Sequence, residues 1–350
     1  MSQSSPPGLI LAGRWSHRGR GLWNLIAALL AVSARRAIKG PRAPGWTAIF
    51  EVITAFVRRQ TEIAFDCPSM AEGRAYEDAV LFPSAVLSQV TIEPVTAPVK
   101  GHWFTPKAGA RAATLLYLHG GGYAYYSKSH ANLIALAALS LPARTFALDY
   151  RLIPEHPFPA QLEDAVAAYR WLLDAGVAPR QLILMGDSAG ANLTLALLLK
   201  LRDLGWPLPA GAVALCPWTD VGNTVSPVSA MAQNDPFDFP QSRMVLRWAG
   251  WLCREADVRD PLVSPIYADW RGLPPVYVQA GKLEILADQI IRFVERAQAQ
   301  GADITFDCWE SMNHDFQAFG DLLPESIEAW ERIKLFAERI SEIQPSVSVP

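Results

Sequence analysis

The chain has 350 residues, 51% of them apolar and 19% charged, with a formal net charge of −3. That apolar share supplies a sizeable core, and the near-balanced charge gives no electrostatic footprint for nucleic acid, so no nucleic-acid partner is expected. Cys67, Cys216, Cys253 and Cys308 form no C-x-x-C pair and no regular spacing, which argues against a zinc site or a disulfide framework and suits a reducing, cytoplasmic compartment.

Residues 1 to about 80 precede the first clear strand signal. No acidic residue occurs before Glu51, whereas Arg14, Arg18, Arg20, Arg35, Arg36, Lys39 and Arg42 flank the apolar stretch 22–32. That stretch is too short to span a membrane, which takes about 20 residues. It is long enough for the core of a cleaved signal, with Val32-Ser33-Ala34 as a small-residue cleavage site. A weak interfacial membrane contact through residues 14–42 is a further reading. These two carry secretion and membrane association as alternatives to the cytoplasm.

Beyond residue 80, strand and helix signals alternate. Segments 86–92 and 99–104 read as an opening antiparallel pair. Buried strands follow at 114–118, 145–149, 182–185, 212–215, 276–279 and 304–309. Helical periodicity falls near 130–140, 161–175, 189–204 and 287–300, with a last helix at 325–343. This alternation predicts an α/β fold with a mostly parallel eight-stranded sheet and helices on both faces. A long insertion, about 222–262, interrupts it and holds one helical pattern at 240–253 with Met244, Leu246, Trp248, Trp251 and Leu252.

The chemistry concentrates at strand ends, where open α/β sheets bind their ligands. Gly186-Asp187-Ser188-Ala189-Gly190 lies between the 182–185 strand and a leucine-rich helix. G-x-S-x-G in that setting is a nucleophile elbow, with the serine on a strained turn at a helix N-terminus. Upstream, strand 114–118 runs directly into His119-Gly120-Gly121-Gly122. Consecutive glycines let backbone N–H groups converge on one point. Gly121, Gly122 and Ala189 are the expected oxyanion donors, and one such donor is worth roughly 3 kcal/mol of barrier.

A serine hydroxyl needs a base, and the base needs an orienting acid. Of the six histidines, only His314 follows Ser188, as the chain order serine, acid, histidine requires. The acid lies after strand 276–279. Glu284 is nearer that strand end and is preferred; Asp288, in the first turn of the next helix, is the alternative. No metal or organic cofactor is needed for this set. Asp187 is read as bonding the turn backbone, His119 as shaping its loop, His156 as structural, and Asn192 as an anchor of the elbow. Asp149 and Arg151 are read as a structural ion pair or as bonding loop carbonyls.

Together these residues resemble the hormone-sensitive-lipase-like family of α/β-hydrolase carboxylesterases. The segments Asp149–Ala160, Cys216–Asp220 and Asp260–Pro265 are similar to family segments, and the resemblance covers roughly residues 80–320. It departs where many members carry aspartate in place of Glu284, with a second aspartate at the position of Asp288. The resemblance implies the α/β-hydrolase fold with a helical cap, the cap formed by residues 1–80 and 222–262 and the catalytic core by 81–221 and 263–350. Lys39–Trp46 looks like cap sequence, which favours a cap helix over the membrane and signal readings of residues 1–40. It also implies hydrolysis of short- to medium-chain acyl esters through an acyl-enzyme, with a bulky apolar alcohol as one candidate leaving group, and a homodimer as one candidate assembly. An amidase, lactonase or carbamate hydrolase would use the same residues. A non-catalytic ligand receptor on this fold would lack the histidine that is present here as His314.

Overall fold

The structure, a computed structural model, describes residues 9–110, 113–222 and 243–342. Most of the expected insertion, 223–242, and the start of its helical pattern at 240–242 lie outside the described residues. In chain order the elements are β1 (Ile10–Leu11), α1 (Trp15–Lys39), α2 (Ala48–Phe65), α3 (Met70–Glu77), β2 (Val80–Leu81), β3 (Val90–Val95), β4 (Gly101–Pro106), β5 (Thr114–Leu118), α4 (His130–Ser140) and β6 (Arg144–Leu148). They continue with α5 (Ala160–Asp174), β7 (Leu182–Asp187), α6 (Ser188–Asp203), β8 (Gly211–Leu215), α7 (Arg243–Cys253), β9 (Val276–Gly281), α8 (Ala287–Ala299), β10 (Ile304–Trp309) and α9 (Pro324–Glu342).

Strands β3 to β10 form one eight-stranded sheet in the order β10-β9-β8-β7-β5-β6-β4-β3. All neighbours are parallel except β3 with β4 and β4 with β6. The central strands are buried on both sides, so their side chains partition by the two-residue period of a strand. Leu116, Leu184, Ala212 and Val278 face α5, α6 and α8 in one cluster. Leu115, Ile183, Met185, Val213 and Tyr277 face α4 and α9 in the other. Each buried Leu, Ile, Val or Met among them contributes about 1.5–3 kcal/mol, which fixes the register.

The expected strand 86–92 is a correction. Residues Ala85–Gln89 form a 3-10 turn, and the strand starts at Val90. Ser84 Oγ accepts the Val86 N–H at 3.4 Å, and the Ser84 N–H donates to Asn132 Oδ1 at 3.0 Å. These side-chain bonds compete with strand pairing and win at the sheet edge. The N-terminal helix also differs, because it extends well beyond the apolar stretch 22–32. It is long and apolar enough, by length and composition, to cross a membrane.

Helices α2, α3 and α7 lie over loops that leave the carboxyl ends of the strands. Trp46 Nε1 donates to Ser311 O at 2.6 Å, and Trp46 and Phe50 pack with Met312, Phe316 and Leu323. Arg74 of α3 donates to Ala124 O and Ile153 O, both at 2.8 Å, and pairs with Glu155. Trp248 of α7 packs edge-on to Phe65 and Tyr125.

Candidate active site

One residue makes the turn from β7 into α6, since the strand ends at Asp187 and the helix begins at Ser188. Ser188 takes φ = 52°, the left-handed region that costs an L-residue about 1–2 kcal/mol. Gly190 permits the turn: a Cβ there would stand 2.0 Å from Leu118 O. Ala189 N–H then belongs to the first turn of α6, whose N–H groups have no partner within the helix.

The loop after β5 curls beside this turn. Gly121 O accepts the N–H groups of Ala124 and Tyr125, both at 3.0 Å. Gly121 and Gly122 have φ of 94° and 61°, and Gly122 lies so close under Trp248 that a Cβ would meet its ring at 2.4 Å. Asp187 fastens the loop to the elbow, accepting from Gly120 N–H at 3.0 Å and from Tyr117 OH at 2.7 Å. Burial raises the Asp187 pKa, while His130 and these two donors lower it. His119 is stacked between Tyr126 and Tyr150, at 3.7 and 4.1 Å between ring centres, and its Nδ1 lies 2.8 Å from Gly120 O. Burial, then the nearby His130, holds its pKa well below the usual 6.5, so the ring stays neutral.

The acid and base come from adjacent strands. Glu284 follows β9 and is fully buried; its Oε1 accepts the Gly281 N–H at 3.0 Å and its Oε2 lies 2.5 Å from His314 Nδ1. His314 follows β10, with a side chain 14% exposed. Its Nε2 lies 3.3 Å from Asp315 Oδ2. Burial first, then the charges of Asp187 and Glu284, pushes the Asp315 carboxyl up to about 8. Cys216 bridges the two sides: its Sγ accepts the Asp315 N–H at 3.3 Å, its N–H donates to Gln279 O at 2.7 Å, and Trp218 N–H donates to Ser188 O at 3.2 Å. Cys216, His314 and Asp315 could approach a metal ion, with donor atoms within 4.8 Å of one another. Burial raises the Cys216 thiol well above its ordinary value, and a protonated thiol is a poor ligand.

The sequence pattern of the family described as alpha/beta hydrolase fold matches residues 115–318, which contain Ser188, Glu284, His314 and the glycine loop. The chain belongs to that family. It is 42% identical over 231 residues to an acetyl-hydrolase of Streptomyces hygroscopicus, covering 65% of this chain and 76% of the relative. It is 35% identical over 254 residues to an esterase of Acinetobacter venetianus, covering 71% and 82%. A solved esterase of the bacterial hormone-sensitive lipase family superposes with a TM-score of 0.70 at 32% identity, covering 94% of this chain and 100% of that one. The protein is therefore a hormone-sensitive-lipase-like α/β-hydrolase and a carboxylesterase.

Within this α/β-hydrolase, the structure brings Glu284 to His314, whereas Asp288 sits in the first turn of α8. The anchor reading of Asn192 gains content: its Oδ1 accepts from Tyr123 OH at 2.6 Å and its Nδ2 donates to Val263 O at 3.0 Å. The ion pair between Asp149 and Arg151 is a correction, whereas the alternative, a bond to a carbonyl, holds for Arg151. Arg151 pairs with Asp164 and Glu163 and donates to Ala160 O, while Asp149 lies 3.8 Å from Lys100. Glu163 stands in the first turn of α5 and Asp164 directly after it, where the chain folds back on Arg151, a proximity that no local spacing announces. Sequence reasoning also missed Cys216, Asp315 and Arg74. Only the position of Asp315 beside the candidate histidine offered a signal.

Proposed function

We propose that this carboxylesterase acts through an acyl-enzyme on Ser188, with His314 as general base and acid and Glu284 as the orienting acid. The observation that carries the reading is the bond between buried Glu284 and His314 Nδ1, which keeps a proton on Nδ1 and makes Nε2, 3.3 Å from Asp315 Oδ2, the nitrogen that accepts the serine proton. Ser188 Oγ attacks the ester carbonyl as its proton passes to Nε2. In this reading the oxyanion that forms is received by the N–H groups of Gly121, Gly122 and Ala189. Collapse expels the alcohol, which takes the proton from His314. Water then attacks the acyl-enzyme with the same base, releasing the acid and regenerating Ser188.

Residues 1–80 and the 222–262 segment are read as a cap that excludes water and shapes the substrate site. Contacts from Trp46, Arg74 and Trp248 to the strand-end loops support this, and they place a large indole directly on the glycine loop. A wall so close to the donors favours short to medium acyl chains, in keeping with the acetyl-hydrolase relative. The test is a series of p-nitrophenyl esters from acetate to palmitate, alongside matched anilides, with labelling by a fluorophosphonate probe. Activity should peak at short to medium esters, and labelling should vanish in Ser188→Ala. Labelling that survives that substitution, or faster turnover of anilides, refutes the proposal.

A further inference from the structure

Helix α1 is held to the protein by one face. His17, Gly21, Asn24, Ala28 and Val32 are buried, and Asn24 Nδ2 donates to Phe56 O at 3.2 Å and Gln60 Oε1 at 3.1 Å. The opposite face is Trp15, Leu22, Trp23, Ile26, Leu29 and Leu30, with Trp15, Trp23 and Leu30 exposed by 83%, 63% and 62%. At the helical period these six fall within an arc of about 120°. An apolar face of this size left open on a folded protein marks an interaction surface.

Charge selects what covers it. Arg35 and Arg36 both pair with the single carboxylate of Glu51, which offsets one of their two charges. Arg14 and Arg18, at the start of the helix, form no ion pair among the described residues, and the Arg18 guanidinium lies 4.9 Å from the centre of the Trp15 ring. A second copy meeting this face about a two-fold axis would bring the same cations together with no acid to answer them. Anionic headgroups supply the missing charge, and tryptophan and leucine suit the headgroup–acyl boundary. The buried Asn24 bonds and the packed face hold the helix along the body, so it lies in the plane of a surface.

We propose that the exposed face of α1 docks the enzyme, in plane, on an anionic lipid bilayer. The inner face of the same helix, at Ala27, Ala31 and Val32, lines a cavity of about 480 Å³ whose far wall includes Trp46 and Thr54. Those two residues bond Ser311 and Asn313, next to His314. A lipid-docked α1 therefore stands one helical layer from the candidate base.

The experiment is co-sedimentation of the full chain with vesicles of phosphatidylcholine, alone or mixed with phosphatidylglycerol, at low and high salt. Wild type should pellet with the mixed vesicles and be released by salt and by alkaline carbonate. The double variants Trp23→Glu with Leu30→Glu, and Arg14→Glu with Arg18→Glu, should each bind roughly tenfold more weakly or worse. Both should keep the wild-type circular dichroism spectrum and the wild-type rate on a soluble p-nitrophenyl ester. Binding that ignores phosphatidylglycerol, survives the Trp23→Glu/Leu30→Glu change, or resists carbonate overturns the proposal. So does a solution dimer that this same variant dissociates. None of the binding readouts depends on the identity of the nucleophile.

Discussion

Replacing Glu284 by Gln tests the acid assignment with almost no change of shape. Gly281 N–H donates to Oε1, and the other oxygen faces His314 Nδ1. A glutamine in this fully buried position has two orientations. With its carbonyl kept on Gly281 N–H, its NH2 group faces Nδ1, which must then accept. The proton moves to Nε2, and that nitrogen can no longer take one from Ser188. The flipped amide restores the histidine tautomer but sets its NH2 group against Gly281 N–H, leaving a buried donor unpaired at about 1–3 kcal/mol. Flipping is thus populated at roughly a fifth to somewhat under a hundredth. Loss of the negative charge that stabilises the imidazolium comes on top, and together they remove about 10³–10⁴ in kcat/KM, or about 4–5.5 kcal/mol. The assay is hydrolysis of p-nitrophenyl acetate with Ser188→Ala as the background. Asp288→Asn, in the first turn of α8, should stay within a few-fold of wild type. A Glu284→Gln enzyme within threefold of wild type, or a larger loss from Asp288→Asn, refutes the reasoning.

Gly122→Ala, at φ = 61° and with a Cβ meeting Trp248 at 2.4 Å, should displace one proposed oxyanion donor and lower kcat about a hundredfold, with a smaller change in KM. Trp248→Ala should cost about 3–5 kcal/mol in urea unfolding and shift the ester profile toward longer chains; an unchanged profile removes Trp248 from the acyl wall. His119 has its folded pKa lowered below 6.5, so its unfolded form binds a proton first, and stability is full above about pH 6.5 and falls as pH drops below it. His119→Phe should flatten that acid slope in thermal melts from pH 7.5 to 4.5, and a parallel slope would refute it. Asp315 has the opposite sign. Its folded value is raised to about 8, so its contribution is full below about pH 4 and is lost as pH rises through 8. Asp315→Asn should therefore gain stability relative to wild type at pH 9 compared with pH 5.

The parts of the fold that were legible in the sequence are those whose signal is local. The strand-to-helix switch around Ser188, the buried run before the glycine loop, and the α8 periodicity each follow from residues within one element. His314 was reached by elimination and Glu284 by its distance from a strand end. What stayed hidden depends on groups far apart in sequence. The 3-10 turn at Ala85–Gln89 forms because Asn132, on another element, accepts the Ser84 N–H. Arg151 finds Asp164 across a bend, and Arg74 reaches two carbonyls and Glu155 from α3. The length of α1 was obscured for a different reason. Its arginines and serines break the apolar run, yet straight chains such as arginine suit helix surfaces.

The backbone shows where the fold concentrates its strain. Among the described residues, Tyr123, Ser188, Cys216, Arg254 and Asp315 have positive φ without being glycine. Four of these five stand just beyond the carboxyl ends of β5, β7, β8 and β10, and β9 supplies Glu284 instead. Such conformations cost about 1–3 kcal/mol each and persist only where surrounding contacts over-determine them. The contacts are visible for each: Tyr123 OH on Asn192, Trp218 N–H on Ser188 O, Cys216 N–H on Gln279 O, and Asp315 N–H on Cys216 Sγ. The β8 end offers no group to the proposed chemistry. Its strained cysteine links the histidine loop to β9, and Trp218, two residues on, holds the serine. The strand between serine and acid thus acts as the spacer that lets residues from β7, β9 and β10 share one edge. Relaxing it would move the base relative to the nucleophile without touching either.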